Sequence, residues 1–142
     1  MGDLSQHFSK KDFACKCGQC GEEQYRIHLG LVGALEAIGG RFRRPVKIVL
    51  GYLCEKEGSR VGKSIKSVHR QGRAAHIQMD NVEIPALFKM IKMLPEIRGI
   101  GLNFEEKYIH VDTRREDPAE WVKEGGREIA LTDSLRSRHA LT

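Results

Sequence analysis

Apolar residues recur along this chain with two different periods. Leu31, Leu35 and Ile38 repeat at helical spacing with Val32 beside them, so a helix is expected over residues 24–38, stopped by Gly39-Gly40. "PVKIVLGYL" (45–53) is short and rich in β-branched residues and reads as a strand, as does "RAAHIQM" (73–79). Between them "EKEGSRVGKSIKSV" (55–68) is polar and glycine-containing, the pattern of a long exposed loop. A second helix is expected from Pro85, with Leu87, Met90, Ile91 and Leu94 on one face and Pro95 as its stop. "GIGLNF" (99–104) and "KYIHVDTR" (107–114) read as two strands joined by an acidic turn at Glu105-Glu106. The order helix, strand, strand, helix, strand, strand predicts an α+β fold with a small antiparallel sheet flanked by helices.

The polar, cysteine-rich residues 1–21 read as an N-terminal arm of a single domain spanning 1–121. Residues 122–142 have weak periodicity, which predicts a tail that frays. A chain of 142 residues suits one core, and 40% hydrophobic with 30% charged residues is a globular composition. The net charge of +5 favours an anionic polymer, whether nucleic acid or a cell-wall glycan. The basic residues are scattered and aromatics are only 6%, which leaves little for a base-stacking platform and disfavours nucleic acid. No run has the length of a membrane span. "MGDLSQHFSKKDF" contains no apolar signal region, so the chain is expected to be cytoplasmic as made. Release to a wall by lysis, a missing signal, and the oligomeric state stay open.

Three histidines border expected strands: His69, His76 and His110. The seven-residue step from His69 to His76 cannot place both on one strand face. A turn at Gly72 can: His69 then closes a loop, His76 enters a strand, and both imidazoles address one spot. Three nitrogen ligands and an open position are what a catalytic zinc site needs. Strand alternation puts Tyr108, His110 and Asp112 on one face, so a carboxylate stands beside a candidate ligand. That carboxylate can orient the imidazole or act on water at the metal. His28 and His139 have no such company and are expected at the surface.

"SVHRQGRAAHI" resembles the S-x-H-x-x-G-x-A-x-D segment of the M15 zinc peptidases, the D-alanyl-D-alanine carboxypeptidase family, and "YIHVDTR" resembles their F-V-H-V-D-x-R segment. "LSQHFSKKDFACKCG", "LGYLC", "GIGLN" and "AEW" are similar to further segments of that family in the same order, over roughly residues 4–121. The resemblance implies the Hedgehog/DD-peptidase fold, zinc held by His69 and His110, and hydrolysis of D-amino-acid peptide bonds in peptidoglycan stem peptides. Asp112 and Arg114 match the family's downstream pair, which makes Arg114 a candidate for binding substrate.

Three positions depart from the family pattern. The middle ligand, Asp in the family, is His76 here, chemically sound because imidazole binds zinc well. Asp80 shares the strand parity of His76 but lies about 13 Å away at ordinary strand rise and cannot replace the lost carboxylate. Leu53 stands where the family has the arginine of S-G-Y-R, which removes a charged donor to substrate or oxyanion. Lys107 occupies a position where relatives place an acidic or histidine base, leaving Asp112 and Glu106 as candidates for proton transfer. The expected activity is therefore a weakened zinc metallopeptidase, with a non-catalytic relative that binds wall fragments or a protein partner as the alternative. Cys15, Cys17, Cys20 and Cys54 are compatible with a second, structural zinc site, a disulfide, or free thiols.

Overall fold

The computed structural model describes residues 4–15, 27–52 and 67–141. Leu53, Cys17, Cys20, Cys54 and most of the loop expected over 55–68 lie outside the described residues. The elements are α1 (Lys10–Phe13), α2 (Leu29–Phe42), β1 (Lys47–Leu50), β2 (Ala74–Gln78), α3 (Ile84–Ile91), β3 (Gly99–Asn103), β4 (Tyr108–Asp112), β5 (Ala119–Glu124), β6 (Arg127–Ala130) and α4 (Asp133–Arg138). The strands form one six-stranded sheet in the order β1-β2-β4-β3-β5-β6.

Alternation gives this sheet two chemically different faces. Ala75, Ile77, Ile100, Leu102, Ile109, Val111 and Val122 belong to the core, together with Leu31, Leu35 and Ile38 of α2 and Leu87, Phe88 and Ile91 of α3. The opposite residues of the same strands, among them His76, Gly101, Tyr108, His110 and Trp121, line a cleft of about 680 Å³. The core face is thus closed by helices, and the other face is left for chemistry.

The α+β architecture and the β3–β4 hairpin agree with the pattern of the sequence, and three details differ. First, α2 runs through Gly39-Gly40 to Phe42 and closes on Arg43 in the left-handed conformation (φ 53°), with the Arg44 amide donating to the Gly39 carbonyl at 3.2 Å. Glycine weakens a helix without forbidding it; here Pro45 bars continuation just beyond, as its ring cannot extend the hydrogen-bond ladder. Second, the sheet is not purely antiparallel, because β5 pairs parallel to β3. The link from β4 to β5 passes the end of β3, where Arg98 donates to the Asp112 carbonyl and accepts from the Ala119 amide, both at 2.9 Å. Third, regular elements continue through residues 122–141, in the rest of β5, in β6 and in α4. Val122 is wholly buried, β6 pairs with β5, and α4 is capped by Thr132, whose hydroxyl accepts from the Leu135 amide. Arg136 and Lys92 both bind Glu120, which ties α4 and the end of α3 to β5. The short-range pattern there is weak because these contacts are ionic and reach across the chain.

Gly33 sits in the exposed interior of α2, and a Cβ built on it meets nothing within 4 Å. Gly33→Ala is expected to stabilise the fold by about 0.5–1 kcal/mol through helix propensity alone. Urea unfolding should show a higher midpoint with an unchanged slope.

Candidate metal centre

The centre is built on the register of two strands. In the antiparallel β2–β4 pair His76 lies directly opposite His110, so both imidazoles leave the sheet on the cleft side. His69 reaches the same spot from a turn. The Arg70 and Gln71 amides return to the Ser67 carbonyl, the Arg73 amide to that of Val68, and Gly72 adopts φ 73°. A positive φ suits glycine, which carries no Cβ to clash, so Gly72 is the residue that lets the chain reverse between the two histidines. Among the described residues, His69, His76 and His110 form the one group able to hold a metal ion, each offering a ring nitrogen within 4.8 Å of the others.

Hydrogen bonds set which nitrogens are offered. His69 Nδ1 donates to the Gly51 carbonyl at 2.9 Å, so its Nε2 carries the lone pair. His110 Nε2 donates to Asp112 Oδ2 at 2.7 Å, which leaves Nδ1 for a ligand. His76 is stacked on Tyr108 with ring centroids 4.3 Å apart, and its Nε2 lies 3.1 Å from His69 Nε2. Two neutral imidazoles satisfy that approach only if His76 gives a proton to His69, whereas a cation takes both lone pairs. Nitrogens bound at about 2.0–2.1 Å around a tetrahedral ion stand about 3.3 Å apart, close to the spacing found here. The residues fit a metal.

Asp112 is fully buried and both its oxygens are occupied. Oδ2 accepts from His110 and from Arg114 Nη2 at 2.8 Å; Oδ1 accepts from Arg114 Nε at 2.9 Å and from the Arg114 amide at 3.1 Å. Burial works to raise its pKa, but the hydrogen bonds from His110 and Arg114 and their charges outweigh it and hold the carboxyl well below the usual carboxylate range. Of the two roles open to this carboxylate, the contacts favour orienting His110. Arg114 is also stacked near Trp121, its guanidinium carbon 5.2 Å from the ring, and lines the cleft.

Missing side chains make room for this arrangement. Gly99 lies opposite Asp112, and a Cβ there would stand within 2.2 Å of Asp112 Oδ2. Gly101 lies opposite both His110 and Trp121, and a Cβ there would meet the indole at 2.5 Å. The indole therefore lies across Gly101 with its ring 5.1 Å from that of His110. At the third ligand, a Cβ on Gly51 would press within 2.6 Å of the Phe13 carbonyl oxygen, which also accepts from the Tyr52 amide at 2.7 Å. The α1 segment thereby backs the carbonyl that orients His69. Glycines alternating with Ile100 and Leu102 in a strand are the sequence signal for such close approaches.

The remaining candidates are spread more widely. Glu106 is exposed in the β3–β4 turn, its amide donating to Asn103 Oδ1 at 2.8 Å and its carbonyl accepting from Gln78 Nε2 at 3.2 Å. Asp80 is exposed beyond β2. Cys15 is half-buried two residues after Phe13. His28 and His139, expected at the surface, are both partly buried. His139 stacks on Phe104 with centroids 4.3 Å apart and meets Glu124 Oε1 at 3.2 Å. His28 bonds to Thr113, and burial together with the nearby Arg73 and Arg115 lowers its pKa.

A family model described as Peptidase M15 matches residues 6–112, a span that contains all three histidines and Asp112. No curated protein matches the chain.

Asp112→Asn should weaken metal binding by about 10–100-fold, the usual effect of losing a partner that orients a ligand imidazole. Gly99→Ala should act in the same direction, because its Cβ takes the carboxylate's space. Isothermal titration of metal into each purified variant measures both.

Proposed function

The chain belongs to the Peptidase M15 family, and on that premise we propose that it is a zinc-dependent peptidase acting on D-amino-acid peptide bonds of peptidoglycan stem peptides, built on a Hedgehog/DD-peptidase-like sheet. The observation that carries the reading is the convergence of His69, His76 and His110 in a cleft. Zinc, when bound, supplies a Lewis acid that activates water and polarises a carbonyl.

The chain's own residues divide the remaining work. His69 and His110 present fixed nitrogens because Gly51 and Asp112 hold their opposite edges. Asp112 acts through His110. Proton transfer to and from substrate is proposed for Glu106, whose backbone is anchored in the β3–β4 turn by Asn103 and Gln78. Arg114, with Nε and Nη2 committed to Asp112, turns its remaining donors toward a substrate carboxylate. The net positive charge of the chain suits an anionic wall polymer. Among the described residues no helix is long and apolar enough to cross a membrane.

A second reading, a non-catalytic relative that binds wall fragments or a protein partner, is favoured by specific residues. Leu53 lacks the family's arginine, Lys107 stands at a base position, and Asp112 has no oxygen left to take a proton. Digestion of muropeptides by zinc-loaded protein, read by mass spectrometry, separates the two. Weak cleavage is expected. Leu53→Arg should raise turnover by about 10²-fold, the usual worth of one oxyanion donor, and Glu106→Gln should abolish it. No cleavage by either wild type or the Leu53→Arg, His76→Asp double variant would favour the binding reading.

For Cys15, Cys17, Cys20 and Cys54 we propose a shared structural zinc. In support, the hydrogen bond from Tyr52 to Phe13 joins the two cysteine-bearing segments two residues before Cys15 and two before Cys54. Metal analysis should then give two zinc ions per chain, falling to one in Cys54→Ser. A single zinc, with no thiol titratable without reductant, would point instead to disulfides.

A further inference from the structure

His28 stands apart from the cleft, yet it joins the two segments that carry the metal-binding histidines. Its amide donates to the Gly72 carbonyl at 2.8 Å, and Gly72 ends the turn of His69 by donating to the His69 carbonyl at 3.3 Å. Its ring Nδ1 is hydrogen-bonded to Thr113 Oγ1 at 2.8 Å, and buried Thr113 directly follows Asp112. The same two segments are bound again, since the Thr113 amide donates to the Arg73 carbonyl and Arg73 Nη1 donates to the Thr113 carbonyl, each at 3.0 Å. The ring itself has little freedom: a Cβ on Gly30 would lie 2.8 Å from His28 Cε1, so the imidazole packs directly over the first turn of α2. The rigid helix thus holds the His69 turn with one atom of His28 and the β4 end with another.

We propose that His28 is a positioning residue of the metal centre, fixing the His69 turn against the Asp112 end of β4 so that His69 and His110 keep the separation a single ion requires. This rests on His69, His76 and His110 being a metal centre, and on no assumption about the reaction. A side chain that only stabilised the fold would change unfolding free energy and leave the coordination sphere as it was. A positioning residue changes the coordination sphere in a folded protein.

Cobalt(II) tests the difference, because its visible d–d absorption reports coordination geometry and its titration gives affinity. In His28→Ala, affinity is expected to fall about tenfold, the low end for a residue outside the ligand shell, and the cobalt spectrum to change. His28→Asn places a polar atom near the Nδ1 position and should recover both. Thr113→Val deletes the other partner of the same bond and should reproduce the loss; it carries the test if His28→Ala does not fold. Urea unfolding of the metal-free variants identifies those that are folded. Wild-type affinity and spectrum in folded His28→Ala, or in Thr113→Val, would overturn the proposal while leaving the metal centre standing. A loss that His28→Asn does not recover would also overturn it. Wild-type protein that takes up no cobalt or zinc would overturn the metal centre and this inference together.

Discussion

The antiparallel register of β2 on β4 is the constraint from which the rest of the cleft follows. It sets His76 against His110 and Ala74 against Asp112, and places Ala75, Ile77, Ile109 and Val111 together on the helix side. A slip of one residue would turn every one of these side chains to the opposite face. The histidines would enter the core without partners, and Val111 would face water. The apolar core therefore specifies the polar site: burying Ile77, Ile109 and Val111 leaves the imidazoles no other side to occupy. Burial of this kind is worth about 1.5–3 kcal/mol per large side chain, enough to hold the register against the modest cost of crowding three imidazoles.

Around that register the strands are kept bare where the site needs space. Gly99 makes room for a buried carboxylate and Gly101 for an indole. A glycine within a strand weakens it, and two in one central strand carry a real conformational cost. β3 offsets the cost by pairing on both sides, with β4 from Gly99 to Asn103 and with β5 from Gly99 to Leu102. Asp112 shows the same economy in electrostatics. An unpaired carboxylate with no exposure to water would be driven to its neutral form, but His110 and the fork of Arg114 meet both oxygens.

Much of this was legible in the residues, and the reasons for what was not are physical. Period-two alternation in "KYIHVDTR" places Tyr108, His110 and Asp112 on one face, and Gly72 between two histidines marks the reversal that brings them together. Both signals are local, and local signals survive in a linear reading. The parallel β3–β5 pair, the role of Trp121 and the bonds of His28 depend on contacts between residues far apart in the chain, which no short window contains. The tail is the plainest case. Its elements meet the rest of the fold through buried Val122 and Leu141, through Leu131 and Leu135 packed on the core, and through Arg136 and Lys92 sharing Glu120, while its exposed strand β6 has no apolar face to give it a period.

The ligand set has an electrostatic consequence that the surrounding charges do not cancel. A cation held by His69, His76 and His110 would meet three uncharged imidazoles, none of which offsets its charge. Asp112 is the nearest carboxylate on the ligand face of β4, and its charge is already matched by Arg114 at 2.8 Å. The cationic side chains Arg114 and Lys123 share the cleft with Glu116, Glu120 and Glu128, and Glu120 is itself paired with Lys92 and Arg136. A carboxylate ligand would remove one unit of the cation's charge and weaken its pull on an anionic group. A histidine rather than a carboxylate at residue 76 thus exchanges part of that neutralisation for stronger attraction of an anion.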